Sequence, residues 1–173
     1  GCLFPAIMGN GPLTLLPPEV FLSKPVSWLR AISRYPATVS PAPNFAYALC
    51  VERIAPSELP ELDLTKWKMA LNGAEPIAPG TLRAFSDRFA ACGFSEEALT
   101  PVYGLSEASL AVTFGSSREP PRVVSFDKDL LSAGVARAAT GGDGRELVSV
   151  GSPLPGVAVE VRDSDGCVGT ARE

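Results

Sequence analysis

Apolar residues fall into two rhythms along this chain, and the alternation between them predicts its elements. Trp28, Leu29, Ile32 and Tyr35 recur at three- and four-residue steps and so line one face of a helix. Ser23 ahead of Pro25 marks its start and Pro36 its end. A second helix is predicted from Asn44, whose side-chain oxygen suits a cap, with Ala46, Leu49, Cys50 and Arg53 along one side. A third opens at Pro79, repeats Leu82, Phe85, Phe89 and Cys92, and meets Gly93 at the cap position. Short apolar runs between them read as strands: 13–16, closed by Pro17 and Pro18; 37–40, followed by a rigid Pro41-Ala42-Pro43 turn; 67–71, running into Asn72-Gly73; and 100–104. Residues 55–65 read as a polar connector. Strand and helix alternate, which predicts an α/β fold: a mostly parallel sheet with covering helices.

After residue 112 the texture changes. Residues 116–145 are polar and glycine-rich, with one apolar patch at Leu130-Leu131. The end reads as two strands, 146–150 and 157–161, around the turn Gly151-Ser152-Pro153-Leu154-Pro155-Gly156. The expected organisation is an α/β unit over 1–115, a polar segment over 116–145 and a β-rich unit over 146–173. The chain starts on apolar residues without Met and stops soon after a strand-like run, as a piece of a longer protein would.

Composition narrows the function classes. With 46% hydrophobic and 20% charged residues the chain is not fully disordered. A formal charge of −4 leaves no basic stripe, which argues against nucleic acid as a partner. Histidine is absent, so Ser-His-Asp and Cys-His mechanisms and His-containing zinc sites are excluded within the chain. Cys2, Cys50, Cys92 and Cys167 form no CxxC pair and read as small apolar thiols in a reducing compartment, which predicts a cytoplasmic protein. No transmembrane segment is predicted, because no run reaches the roughly 18 apolar residues of a span.

Ligands of open parallel sheets bind beyond the carboxyl ends of the strands. Two loops qualify, Asn72-Gly73-Ala74-Glu75-Pro76 and Tyr103-Gly104-Leu105-Ser106-Glu107. Gly73 and Gly104 permit close backbone approach, Tyr103 suits stacking on a planar base, Ser106 suits a phosphate oxygen, and Glu107 is a hard oxygen donor for Mg²⁺. The same loops also read as ordinary connections with Tyr103 closing the core. No GxGxxG opens a helix and no GxxxxGK[ST] occurs. Gly141-Gly142-Asp143-Gly144 and Asp163-Ser164-Asp165-Gly166 read as turns.

Taken with their surroundings, these loops resemble part of the large amino-terminal domain of adenylate-forming enzymes, and within them fatty acyl-AMP ligases. The resemblance runs through Leu13-Thr14-Leu15-Leu16-Pro17-Pro18, Trp28-Leu29 to Tyr35, Ala37 to Tyr47, Asn72 to Pro76, Tyr103 to Ala108 and Gly151 to Gly156. Each stretch alone recurs by chance; their order does not.

The resemblance implies a two-step reaction. A fatty carboxylate attacks the α-phosphate of ATP, giving acyl-AMP and pyrophosphate, and a thiol on an acyl carrier protein, or CoA in the related acyl-CoA synthetases, takes the acyl group. It implies that Gly73, Ala74, Glu75 and Pro76 wall the adenosine, Tyr103 and Gly104 pack on it, and Ser106 touches the α-phosphate. Glu107 would coordinate Mg²⁺, and Asn44, Phe45 and Tyr47 would lie near the fatty acid. Residues 116–145 look like the insertion that separates these ligases from acyl-CoA synthetases. The family's lysine-bearing phosphate loop and catalytic lysine have no counterpart here, so the resemblance also implies a chain inactive alone. A non-catalytic adenylation-like interaction module is the further alternative.

Overall fold

The structure, a computed structural model, describes residues 3–116, 118–142, 144–162 and 166. Its main sheet has strands β1 (Val39–Ala42), β2 (Met69–Asn72), β3 (Leu99–Tyr103), β4 (Thr113–Phe114) and β7 (Ser152–Pro153), side by side in that order. β1, β2 and β3 run parallel; β4 and β7 extend the sheet antiparallel. A separate antiparallel pair joins β5 (Val123–Asp127) to β6 (Gly144–Val148). The helices are α1 (Leu3–Met8), α2 (Pro18–Ser23), α3 (Val26–Arg34), α4 (Asn44–Arg53), α5 (Pro79–Phe89) and α6 (Lys128–Ser132). The expected α/β architecture is thus present, with α4 and α5 forming the crossovers between parallel strands.

An aromatic cluster joins the helices to the sheet. Trp28, Tyr47, Trp67, Phe85, Phe89 and Phe94 are buried, and their rings meet at 4.6–6.4 Å between centroids, mostly edge to face. Their polar tips are all satisfied at the parallel strands. The Trp28 indole N–H donates to Ser40 Oγ (2.9 Å), the Tyr47 hydroxyl to the Leu71 carbonyl (3.0 Å) and the Trp67 indole N–H to the Met69 carbonyl (3.1 Å). These bonds fix α3 over β1 and α4 over β2 at defined heights, which apolar packing alone does not do.

Several expectations are corrected. Residues 13–16 are not a strand: β1 is the sheet's edge among the described residues, so nothing pairs with them, and Leu15 is 80% exposed. Ser23 ends α2, its hydroxyl donating to the Val20 carbonyl, and does not start α3. Tyr35 lies past the end of α3, outside its apolar face, under the Arg34 guanidinium. Pro41 belongs to β1, not to a turn; an edge strand tolerates a residue that cannot donate. The run 157–161 forms no strand, since no other strand lies beside it among the described residues. On α4 the buried side is Ala46, Tyr47 and Cys50, with Leu49 only half-buried and Arg53 exposed.

Residues 116–145 carry regular structure. β5 leads into α6, capped by the Asp127 carboxylate, which accepts from the Asp129 and Leu130 N–H groups at 3.0 Å. β6 straddles the expected boundary at residue 145, because its register pairs Asp127 with Gly144 and Val123 with Val148. Asp163-Ser164-Asp165 and part of the 141–144 turn lie outside the described residues.

Candidate functional site

Parallel pairing decides where the candidate loops emerge. Ala42 lies opposite Asn72, and Asn72 opposite Pro101, so the chain leaves β1, β2 and β3 over the same edge of the sheet. Asn44 and Phe45 follow β1, Gly73 to Pro76 follow β2, and Gly104 to Glu107 follow Tyr103 at the end of β3. Both candidate loops thus leave the sheet over one edge.

Their contact is close. A Cβ on Gly73 would lie 2.6 Å from the Val102 carbonyl oxygen and 2.8 Å from Val102 Cγ2, so only glycine lets this loop rest on β3. A Cβ on Gly104 would run into the Leu110 carbonyl. Ala74 sits at φ 68°, the left-handed region that costs an L-residue about 1–2 kcal/mol. Strain of this kind persists where the surroundings over-determine the backbone.

Those surroundings are side chains of the loop and of α4. The Phe45 backbone N–H donates to Glu75 Oε1 at 2.6 Å. Asn44 Oδ1 accepts from the Ala78 backbone N–H at 3.3 Å and from Asn72 Nδ2 at 3.5 Å. Asn44 therefore does not cap its own helix, whose N-cap position is Pro43; it holds the neighbouring loop instead. Asn72 is fully buried, and its Oδ1 has no hydrogen-bond partner among the described residues. Asn72 was not among the residues expected to act. The signal for it is a polar side chain at an inward position of an apolar parallel strand.

The other wall is the connection from β3 to β4. The Val112 N–H returns to the Tyr103 carbonyl (3.0 Å), and a 3₁₀ turn over Ser106–Ala108 closes through Leu110 N–H to the Leu105 carbonyl (3.0 Å). Tyr103 is half-exposed, and Ser106 and Glu107 are exposed. Phe45 is also accessible, its ring 6.5 Å from that of Phe21.

Tyr47 departs from expectation. It has 0% exposure and its hydroxyl is spent on the Leu71 carbonyl, so it is a core residue with no surface to offer a fatty acid. Burial holds its phenol well above the ordinary tyrosine range. The thiol of Cys50, one helical turn on, is pushed up to about 12 by burial and is correspondingly unreactive.

Among the described residues no group of three or more His, Cys, Asp or Glu side chains forms a metal cage. The loops 72–78 and 103–110 hold two carboxylates, Glu75 and Glu107, and no Lys or Arg. A face with hydrogen-bonding backbone, a half-exposed ring, a hydroxyl and a free carboxylate suits a planar, phosphorylated ligand whose charge is balanced from elsewhere.

The parallel sheet with its covering helices matches the N-terminal domain fold of adenylate-forming enzymes, and sequence comparison identifies the family. Residues 1–171 match the model of the AMP-binding enzyme family, and the chain belongs to it. It is 36% identical over 166 residues to medium-chain-fatty-acid–[acyl-carrier-protein] ligase TtuA of Teredinibacter turnerae, covering 91% of this chain and 26% of that protein. It is 35% identical to long-chain-fatty-acid–AMP ligase FadD28 of Mycobacterium tuberculosis, covering 94% of this chain and 28% of that one. Among solved structures it matches fatty acyl-adenylate ligase from L. pneumophila, in complex with acyl adenylate and pyrophosphate. That match has a TM-score of 0.89 at 37% identity, over 95% of this chain and 29% of the other. The chain spans about a quarter of the length of the curated relatives it matches.

Proposed function

We propose that this chain forms the adenosine-facing half of a site that activates a fatty acid with ATP, giving acyl-AMP and pyrophosphate. The observation that carries this reading is the seating of the Gly73 loop against Val102, beside the Tyr103–Glu107 connection, on one edge of a parallel sheet. In this reading the backbone of Gly73, Ala74 and Pro76 lines the adenosine, Glu75 fixes the loop, and Tyr103 stacks on the base above Gly104. Ser106 donates to the α-phosphate. Asn44 and Phe45 border the carboxylate side of the acyl chain, and Tyr47 supports them from within the core.

Mg²⁺ fits the donor set here, since that ion keeps most of its waters and binds through one or two carboxylates together with substrate phosphates. Glu107 is the carboxylate that would hold it, and the bound ion would neutralise charge on the phosphates. The loops contribute no cation, so the attack of one anion on another needs positive charge from segments outside them. With no counterpart here of the family's lysine-bearing phosphate loop and catalytic lysine, the chain alone is expected not to form acyl-AMP.

For the second step we favour a carrier-protein thiol over CoA, because TtuA, at 36% identity, is named as an acyl-carrier-protein ligase. Offering both acceptors to the complete enzyme distinguishes them. The free, buried thiols of Cys50 and Cys92 suit a reducing compartment, and we place the protein in the cytoplasm. No described helix is long and apolar enough to cross a membrane.

Calorimetry of the chain with ATP tests the reading. Binding should strengthen when Mg²⁺ is added, and Glu107→Ala should remove that Mg²⁺-dependent gain while leaving thermal unfolding unchanged. No ATP binding by the wild-type chain refutes the nucleotide assignment; an unchanged Mg²⁺ gain in the variant refutes the role of Glu107. Pyrophosphate release above blank with laurate and ATP refutes the division of labour.

A further inference from the structure

The loop after β2 and the amino end of α4 hold each other through reciprocal bonds. Glu75, from the loop, takes the backbone N–H of Phe45 at 2.6 Å. Asn44, from the helix, takes the backbone N–H of Ala78 at 3.3 Å and the Nδ2 of Asn72 at 3.5 Å. Each element thus satisfies a backbone donor of the other with a side-chain oxygen. Phe45 is in the first turn of a ten-residue helix, where N–H groups lack intrahelical acceptors, so a carboxylate is a favourable partner there.

The bonds bracket the strained residue. Ala74, at φ 68°, lies between Asn72 and Glu75, both tied to Asn44 or Phe45. Gly73, beside it, rests on Val102 with no room for a Cβ. A loop pressed on one side against β3 and clipped on the other to α4 cannot shift without moving α4 or breaking the clip. Glu75 is exposed, yet its Oε1 already has a partner within the protein.

We infer that Glu75 and Asn44 are positioning residues that mechanically couple the loop facing the adenosine to the helix end facing the acyl carboxylate. An occupant of the loop is then felt at Phe45 through the clip, and the Glu75 carboxylate acts on α4, not on the nucleotide. The inference rests on the nucleotide reading above and adds to it a route of communication between the two halves of the substrate.

The test uses the ¹⁵N-labelled chain with AMP as the probe, in the wild type, Glu75→Gln, Glu75→Ala and the double variant Glu75→Ala/Asn44→Ala. Amide shifts of Ala74 and Glu75 report loop occupancy, and the Phe45 amide reports transmission. In the wild type both sets should titrate with one Kd. The glutamine variant keeps an acceptor oxygen and should retain most of the Phe45 response. In Glu75→Ala the Phe45 response should fall about fivefold or more, and in the double variant it should vanish while the loop amides still titrate. Cooperative thermal unfolding of all variants shows that the loss is not one of fold. An undiminished Phe45 response in the double variant, with the loop occupied, overturns the coupling alone. Absence of any AMP-induced shift in the wild type overturns the nucleotide reading, and the coupling with it.

Discussion

Replacing Gly73 by Ala adds one methyl group where the structure has no space. Its carbon would lie 2.6 Å from the Val102 carbonyl oxygen and 2.8 Å from Val102 Cγ2. Carbon–oxygen contacts settle at about 3.3 Å or more, so relief requires a shift of about 0.7 Å between loop and strand. The oxygen belongs to the backbone of β3, next to the pair that joins Asn72 to Pro101, and does not rotate away. The loop cannot move freely either, because Asn44 and Glu75 hold it to α4. Overpacking with both sides fixed costs about 1–3 kcal/mol. Gly80 is the control: a Cβ there meets nothing within 4 Å, and it sits in α5, where alanine is the better helix former by up to about 1 kcal/mol. Urea unfolding of wild type, Gly73→Ala and Gly80→Ala, each paired with AMP titration, separates the cases. Gly73→Ala should lose stability and weaken AMP binding, whereas Gly80→Ala should hold or gain stability with binding unchanged. Equal stability and equal affinity in Gly73→Ala would refute the close seating of the loop on β3.

Two further substitutions test the core behind the site. Tyr47→Phe removes the hydroxyl from the Leu71 carbonyl in a buried setting, and urea unfolding should show a loss of about 1–3 kcal/mol with AMP affinity unchanged; a variant as stable as the wild type would show that bond to be inert. Burial raises the Cys50 thiol from 9.0 to about 12, so the unfolded chain gives up that proton first as pH rises. Stability should therefore be at its full value below pH 9 and decline as pH climbs from there towards 12, with Tyr47 adding the same sign above pH 10. Cys50→Ala should flatten the decline between pH 9 and 10, and an unaltered slope there would contradict the assignment.

Period and punctuation made the helices legible. The three- and four-residue steps of Trp28-Leu29-Ile32 and of Leu82-Phe85-Phe89 correspond to α3 and α5, and Gly93 adopts the left-handed cap at φ 80°. Patterns failed where pairing, not composition, decides the outcome. Residues 13–16 and 157–161 are apolar enough for strands, but a strand needs a neighbour, and no local pattern states whether one is present. Pro41 reads as a turn residue until its strand is known to be the edge. The two candidate loops were legible as strand-end loops because glycines beside polar residues follow two strands. The role of Asn44 was not: a side chain suited to capping its own helix is equally suited to a backbone donor 34 residues away, and only the fold brings Ala78 within reach.

The two walls of the face are held by different means, and the change of strand direction at β3 is the reason. β4 returns antiparallel beside β3, with Tyr103 opposite Thr113, so the segment carrying Ser106 and Glu107 is a hairpin excursion that must rise over the sheet edge. It braces itself: Val112 bonds back to Tyr103, Leu110 to Leu105, and Gly104 fits under the Leu110 carbonyl. The segment after β2 instead begins a crossover to α5 with no returning strand; it rests on Val102 of β3 through Gly73 and is held to α4 through Glu75 and Asn44. Among the described residues the hairpin wall has no such side-chain bond to α4, so a displacement of α4 is expected to reach the wall at Gly73–Pro76 first. The candidate face is thus built from one loop clipped to a helix and one turn that braces itself.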